Sequence, residues 1–236
     1  HDRTLTPLLD AAPRQSGFWR PFAALPPGIT ADRRKRSELE RYFREHTSFA
    51  VHLPRLWQYL GLSWCGWQLR RYLGRRVARA GYGRVHFLCY ISGGFILRSA
   101  VAGQPLDNQG RVVLVRSPLQ EQVPVRLVAR YGRVLTTLRL GRMVVDLASQ
   151  AKDRLPPLGT GQGLGLVLEQ GVSRLAAALG LRAGDCAALE AAGDFALPGG
   201  SAVLLTGESH DDVYTSATLL GRIARFLESG SFDGSA

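Results

Sequence analysis

The residues with the most chemical potential lie between Val85 and Ala100, in "VHFLCYISGGFILRSA". An unbroken apolar run meets Ser92-Gly93-Gly94 and then passes into a segment that can start a helix. A strand, a sharp turn and a helix around a serine is the arrangement that exposes an Oγ for attack on an acyl carbon. Such a serine needs a histidine base and an acid to orient it. Other chemistries are poorly provided for. Cys65, Cys89 and Cys186 have no spacing suited to a metal, so no metal or cofactor is expected. Gly159, Gly161 and Gly163 alternate as in a dinucleotide loop, but "KDRLPP" precedes them where such a loop needs a strand. They are expected to be a connector into a helix over 163–180.

Positioning these residues requires a sheet. Unbroken apolar runs at 84–90, 111–115 and 202–206 predict strands, with a short one at 48–53. Helices are expected at 32–46, 67–81, 94–102, 122–131, 141–150 and 215–228. Short apolar strands alternating with helices describe a parallel sheet covered on both faces. Residues 1–31 contain five prolines and little periodicity. They predict an extended arm anchored by Phe18 and Trp19, so that 1–47 forms an arm with a charged helix, 48–232 the α/β domain, and 233–236 a frayed tail.

Charge is unevenly distributed. Residues 1–84 carry 16 Lys and Arg against 6 Asp and Glu, whereas residues 85–236 carry 14 against 13. Arginine outnumbers lysine 28 to 2, a bias that a GC-rich genome or a selected interface would each produce. The helix over 67–81 presents Arg70, Arg71, Arg75, Arg76 and Arg79 with no acid between them, close to Trp57, Trp64 and Trp67. With Phe18 and Trp19, these arginines are the expected partner-binding residues. An acidic protein surface is the favoured partner, ahead of anionic lipid headgroups and nucleic acid such as organellar rRNA. No segment has the roughly 20 apolar residues of a membrane span.

Three stretches in order resemble the α/β-hydrolase superfamily, in its small lipase and esterase branch. "GRVHFLCYISGGFILRSA" resembles the strand–elbow–helix of those enzymes, "GRVVLVRSPLQEQVPVRLV" their next strand, and "GESHDDVYTSATLLGRIARFLESGSF" their C-terminal block with its histidine. The resemblance covers about 60 residues directly and implies the fold over roughly 48–232. Aligned on the double glycine, it sets Cys89 at the first elbow glycine, Tyr90 at the residue before the nucleophile, Ile91 at the nucleophile and Ser92 one place beyond. A second register keeps Ser92 as nucleophile but puts Tyr90 where the tight turn wants glycine. No His-Gly pair is present to supply an oxyanion donor, neither Asp185 nor Asp194 is followed by glycine, and Asp211 and Asp212 read as first-turn acids of the closing helix. The expectation is a catalytically degenerate hydrolase-like protein, a pseudoenzyme serving as an accessory subunit of a larger protein complex. The start at His1 and the arginine bias point to an organelle, the mitochondrion first. The alternative is an active esterase or lipase using Ser92 and His210, with Asp185 or Asp194 as acid.

Overall fold

In a computed structural model, residues 3–8, 33–90, 92–103, 106–115, 122–149, 155, 158, 163–169, 202–209 and 212–233 are described. Among the described residues six strands form one sheet: β1 (Arg3–Leu8), β2 (Ala50–Val51), β3 (Arg84–Tyr90), β4 (Gln109–Val115), β5 (Leu164–Glu169) and β6 (Ala202–Thr206). Their spatial order is β2-β1-β3-β4-β5-β6, and every pairing is parallel. Parallel strands need crossover helices, and these cover both faces of the sheet.

Alternation along each strand sorts the core into two layers. Phe87, Cys89, Val112, Leu114, Leu164 and Leu166 point to one face, under α2 (Leu62–Tyr72), α3 (Gly93–Val101) and α5 (Arg142–Leu147). Leu88, Tyr90, Val113, Val115, Val167 and Leu204 point to the other, under α1 (Arg33–His46) and the C-terminal helix α6 (Ala217–Ser229). The helices sit very close at particular points. A Cβ at Gly165 of β5 would stand 2.8 Å from Phe226 and Phe232, so glycine there lets α6 settle onto the sheet. A Cβ at Gly66 of α2 would stand 2.3 Å from Ser99 Oγ of α3.

The helix ends are tied as well. Ser216 caps α6 by accepting from the Leu219 N–H at 3.4 Å. Asp146 Oδ2 on α5 accepts from the Leu62 N–H at 2.9 Å, so one helix caps another far away in sequence. The remaining helix, α4 (Gln122–Leu140), kinks at Gly132, whose φ of 74° and ψ of 160° leave the helical region.

The expected strands at 84–90, 111–115 and 202–206 are present, as are helices close to 32–46, 94–102 and 215–228. Four expectations need correction. Residues 1–31 do not form only an arm: Arg3–Leu8 is a strand inside the sheet, with Leu8 opposite Cys89 on one side and Leu5 opposite Val51 on the other. Nor is there a break in the core near residue 47, because Leu39 and Phe43 of α1 are fully buried with Leu88 and Tyr90. The helix expected from 163 begins instead as strand β5, buried at every position through Glu169, with Gly163 just ahead of it, while Gly159 and Gly161 lie outside the described residues. The helix expected at 67–81 starts earlier, at Leu62, and gives way to a π turn (Leu73–Val77) and a 3₁₀ turn (Ala78–Ala80). Gly81 ends it in the left-handed conformation at φ 68°.

Candidate functional site

The C-terminal ends of the strands are where a parallel sheet places its chemistry. At β3 the strand runs through Tyr90, and α3 begins at Gly93 with Ser92 as the residue before it. Ser92 has φ −69° and ψ −14°, ordinary right-handed helical values. Its carbonyl accepts the Ile96 N–H at 2.9 Å, which commits its peptide to the first turn of α3. Its side chain is 1% exposed. A serine at the tip of a nucleophile elbow sits instead on strained backbone with its Oγ projecting above the sheet. Ile91, the residue between Tyr90 and Ser92, lies outside the described residues.

The neighbouring side chains fill the end of β3. Tyr90 is wholly buried and stacks on Tyr214 with ring centroids 4.4 Å apart. Its hydroxyl donates to the Val213 carbonyl at 3.4 Å, which uses the one polar atom of the ring. Burial, and secondarily the nearness of Glu169, push the Tyr90 phenol well above its ordinary range. Burial likewise raises the Cys89 thiol, so Cys89 is held as a neutral thiol at neutral pH and not as a thiolate nucleophile. Gly93 and Gly94 are buried in the first turn of α3.

His210, Asp185 and Asp194 lie outside the described residues, as do Phe18 and Trp19. Asp212 is described, and it is not in the first turn of the closing helix, which starts at Ala217. It accepts instead from Ser209 Oγ at 2.6 Å and closes a turn in the loop after β6. Ser216, the actual cap, donates to Glu208 Oε1 at 2.6 Å. A carboxylate passed over in the sequence is Glu169, the last residue of β5, fully buried and opposite Thr206 of β6. Its signal was an acid closing an unbroken apolar run, which a helical reading of that run hid. No group of three metal-binding side chains occurs among the described residues.

The arginine face divides into two kinds of residue. Arg70 turns back onto α3: its Nε donates to the Ala100 carbonyl at 2.7 Å, and Nη2 to the carbonyls of Ser99 and Ala102 at 3.2 and 3.1 Å. These are the carbonyls a helix C-terminus leaves without partners, so Arg70 acts as a cross-helix cap. Arg71 lies over the Trp67 ring at 4.9 Å, and Trp67 stacks on Trp64 at 4.8 Å. Arg75, Arg76 and Arg79 line an open depression of about 570 Å³ with Ala80. Arg70→Ala is therefore expected to lower stability by roughly 1.5–3 kcal/mol, the range for charge-assisted hydrogen bonds, while Arg71→Ala stays within about 0.5 kcal/mol. Urea melts of the two variants beside the parent check this.

No protein-family model matches the sequence, and no curated protein does either. Solved structures do match in shape. The NocB thioesterase domain from the nocardicin cluster superposes with a TM-score of 0.53 at 13% identity, over 97% of this chain and 95% of that one. MGS-MChE2, an α/β hydrolase enzyme from the metagenome of lagoon sediments at Mar Chica, Morocco, gives 0.52 at 17% identity, over 96% and 92%. The Vlm2 thioesterase domain, solved with a bound dodecadepsipeptide, gives 0.52 at 13% identity, over 96% and 98%. At these identities what is shared is the fold.

Proposed function

We propose that this chain, which has the α/β-hydrolase fold, carries out no serine hydrolysis and serves as a non-catalytic accessory subunit of a larger protein assembly. The observation that carries the reading is Ser92: helical backbone, a carbonyl committed to α3 and a side chain removed from solvent. The buried Tyr90–Tyr214 stack supports it, since aromatic rings fill the end of β3 beside the turn. Losing the nucleophile of a triad removes most of the acceleration, on the order of 10⁶-fold, whatever the histidine and acid do. The thioesterase and hydrolase activities of the similar structures therefore have no counterpart in this reading. The assembly is proposed to be organellar, with the mitochondrion the first compartment to examine.

The test is an activity-based fluorophosphonate probe on the native protein, with an active serine esterase alongside. No labelling above background is expected. Stoichiometric labelling that disappears in both Ser92→Ala and His210→Ala would overturn the reading in favour of an esterase. The accessory role is read separately, from native gel filtration of a gentle extract. The chain is expected to run in a complex larger than itself, and migration as a free monomer speaks against that part alone.

A further inference from the structure

We infer that the face formed by Trp57, Leu60, Trp64, Trp67 and the second half of α4 docks on an anionic lipid bilayer surface. Two hydrogen bonds tie its parts together. The Trp57 N–H donates to the Gln68 side chain at 2.8 Å, which fixes Trp57 against the exposed side of α2 where Trp64, Trp67 and Arg71 lie. From the same turn, the Tyr59 hydroxyl donates to the Leu138 carbonyl at 3.1 Å, joining that side to the end of α4. There, after the kink at Gly132, Val134, Leu135 and Leu138 are turned outward with Leu138 four and three residues beyond the other two, Val134 being 76% and Leu138 64% exposed. Trp57 is 52% exposed and Trp67 45%. An apolar patch of this extent on a folded chain marks an interaction surface.

Its charge says what it meets. The sequence has no Asp or Glu from residue 46 to residue 106, nor from 122 to 145, and the same segments hold Arg71, Arg75, Arg76, Arg79, Arg130, Arg133 and Arg139. Among the described residues none of Arg71, Arg75, Arg76 and Arg79 is in an ion pair. The partner must therefore accept aromatic and aliphatic side chains in one layer and many cations in the next. The boundary between headgroups and acyl chains does both: tryptophan belongs there, aliphatics reach below it, and arginine stays at the phosphates.

A polynucleotide fits less well, because Val134, Leu135 and Leu138 have nothing to do on a phosphate chain. Trp67 already stacks on Trp64 and carries Arg71 over its ring, so it is occupied where a base would need it. A protein interface is ordinarily rimmed by both signs of charge, whereas Asp146, the acid beside the start of α2, is already engaged by the Leu62 N–H and by Arg142. The inference stands apart from the reading of Ser92 and does not depend on it.

The experiment sediments the full chain with vesicles of phosphatidylcholine alone and of phosphatidylcholine with phosphatidylglycerol, and records tryptophan emission. Binding is expected to the anionic vesicles, with a blue shift of the emission and weakening as salt rises. One arginine near such a surface changes partitioning about fivefold, so Arg75→Ala/Arg76→Ala is expected to weaken it about 25-fold. Trp64→Ala/Trp67→Ala is expected to weaken binding at least tenfold and to abolish most of the blue shift. Thermal melts confirm that the variants fold, and the arginine pair alone decides the matter if the tryptophan pair does not. Equal binding to both vesicles, no binding to either, or retention of single-stranded RNA or an acidic protein in place of vesicles overturns the proposal.

Discussion

Tyr90→Ala is expected to destabilise the protein by about 3–5 kcal/mol, the range for deleting a buried aromatic ring. That is a large share of the roughly 5–15 kcal/mol that holds a domain of ordinary stability together. The ring is wholly buried at the end of a central strand, in a layer shared with Leu88, Val113 and Val115. Its stacking partner Tyr214 belongs to the loop ahead of α6, so the lost contact would also loosen the docking of that helix. Tyr90→Phe keeps the stack and loses the bond to the Val213 carbonyl, and about 1 kcal/mol is expected. Denaturant midpoints of the two variants measure the difference. If Tyr90→Ala cost no more than Tyr90→Phe, the ring would not be the packed plug described.

Gly66→Ala is the second large effect, and its sign runs against helix propensity. In an unobstructed helix interior the change would add roughly 0.5–1 kcal/mol of stability, because glycine loses more backbone entropy on folding. Here the new Cβ would meet Ser99 Oγ at 2.3 Å, Ser99 Cβ at 2.7 Å and the Ser99 carbonyl carbon at 3.0 Å. The last of these is backbone and cannot swing aside, so α2 and α3 would have to move apart. A loss of about 1–3 kcal/mol is expected, as for overpacked cores. Gly74, with nothing within 4 Å of its Cβ position, is the internal comparison, and Gly74→Ala is expected to be neutral or to stabilise by up to about 1 kcal/mol. Melting temperatures of the two variants should move in opposite directions or differ by several degrees.

What could be read from the sequence follows from how local each signal is. The apolar runs of β3, β4 and β6 are bounded by glycine or polar turns and match their strands to within a residue or two. β5 reads as the start of a helix because "LGLVLE" is followed by "QGVSRLAAALGL", and a short buried strand cannot be told from helix by periodicity when helix-forming residues follow. β1 was missed for a better reason. "RTLTPL" alternates polar residues and contains Pro7, which lacks a ladder donor and argues against an interior strand. Its place between β2 and β3 is decided by pairing across the sheet. At the site, the double glycine and the bulk of Tyr90 favour the register with Ile91 at the nucleophile, and the backbone angles of Ser92 give it a helical place. Arg70 and Arg71 look alike in sequence and differ in what lies beneath them: the open carbonyls of α3 in one case, a tryptophan ring in the other.

The position of β1 carries a consequence for how the chain reaches its native state. Leu8 must find Cys89, and until it does β2 has no neighbour through which to join the sheet. The pairing closes a long stretch of chain before any contact compensates for the entropy lost, which places it among the slow steps of folding. Synthesis offers no shortcut, since β1 is made well before the strand it must pair with. Meanwhile β3 presents an open parallel edge, the feature by which nascent chains pair with the wrong neighbour.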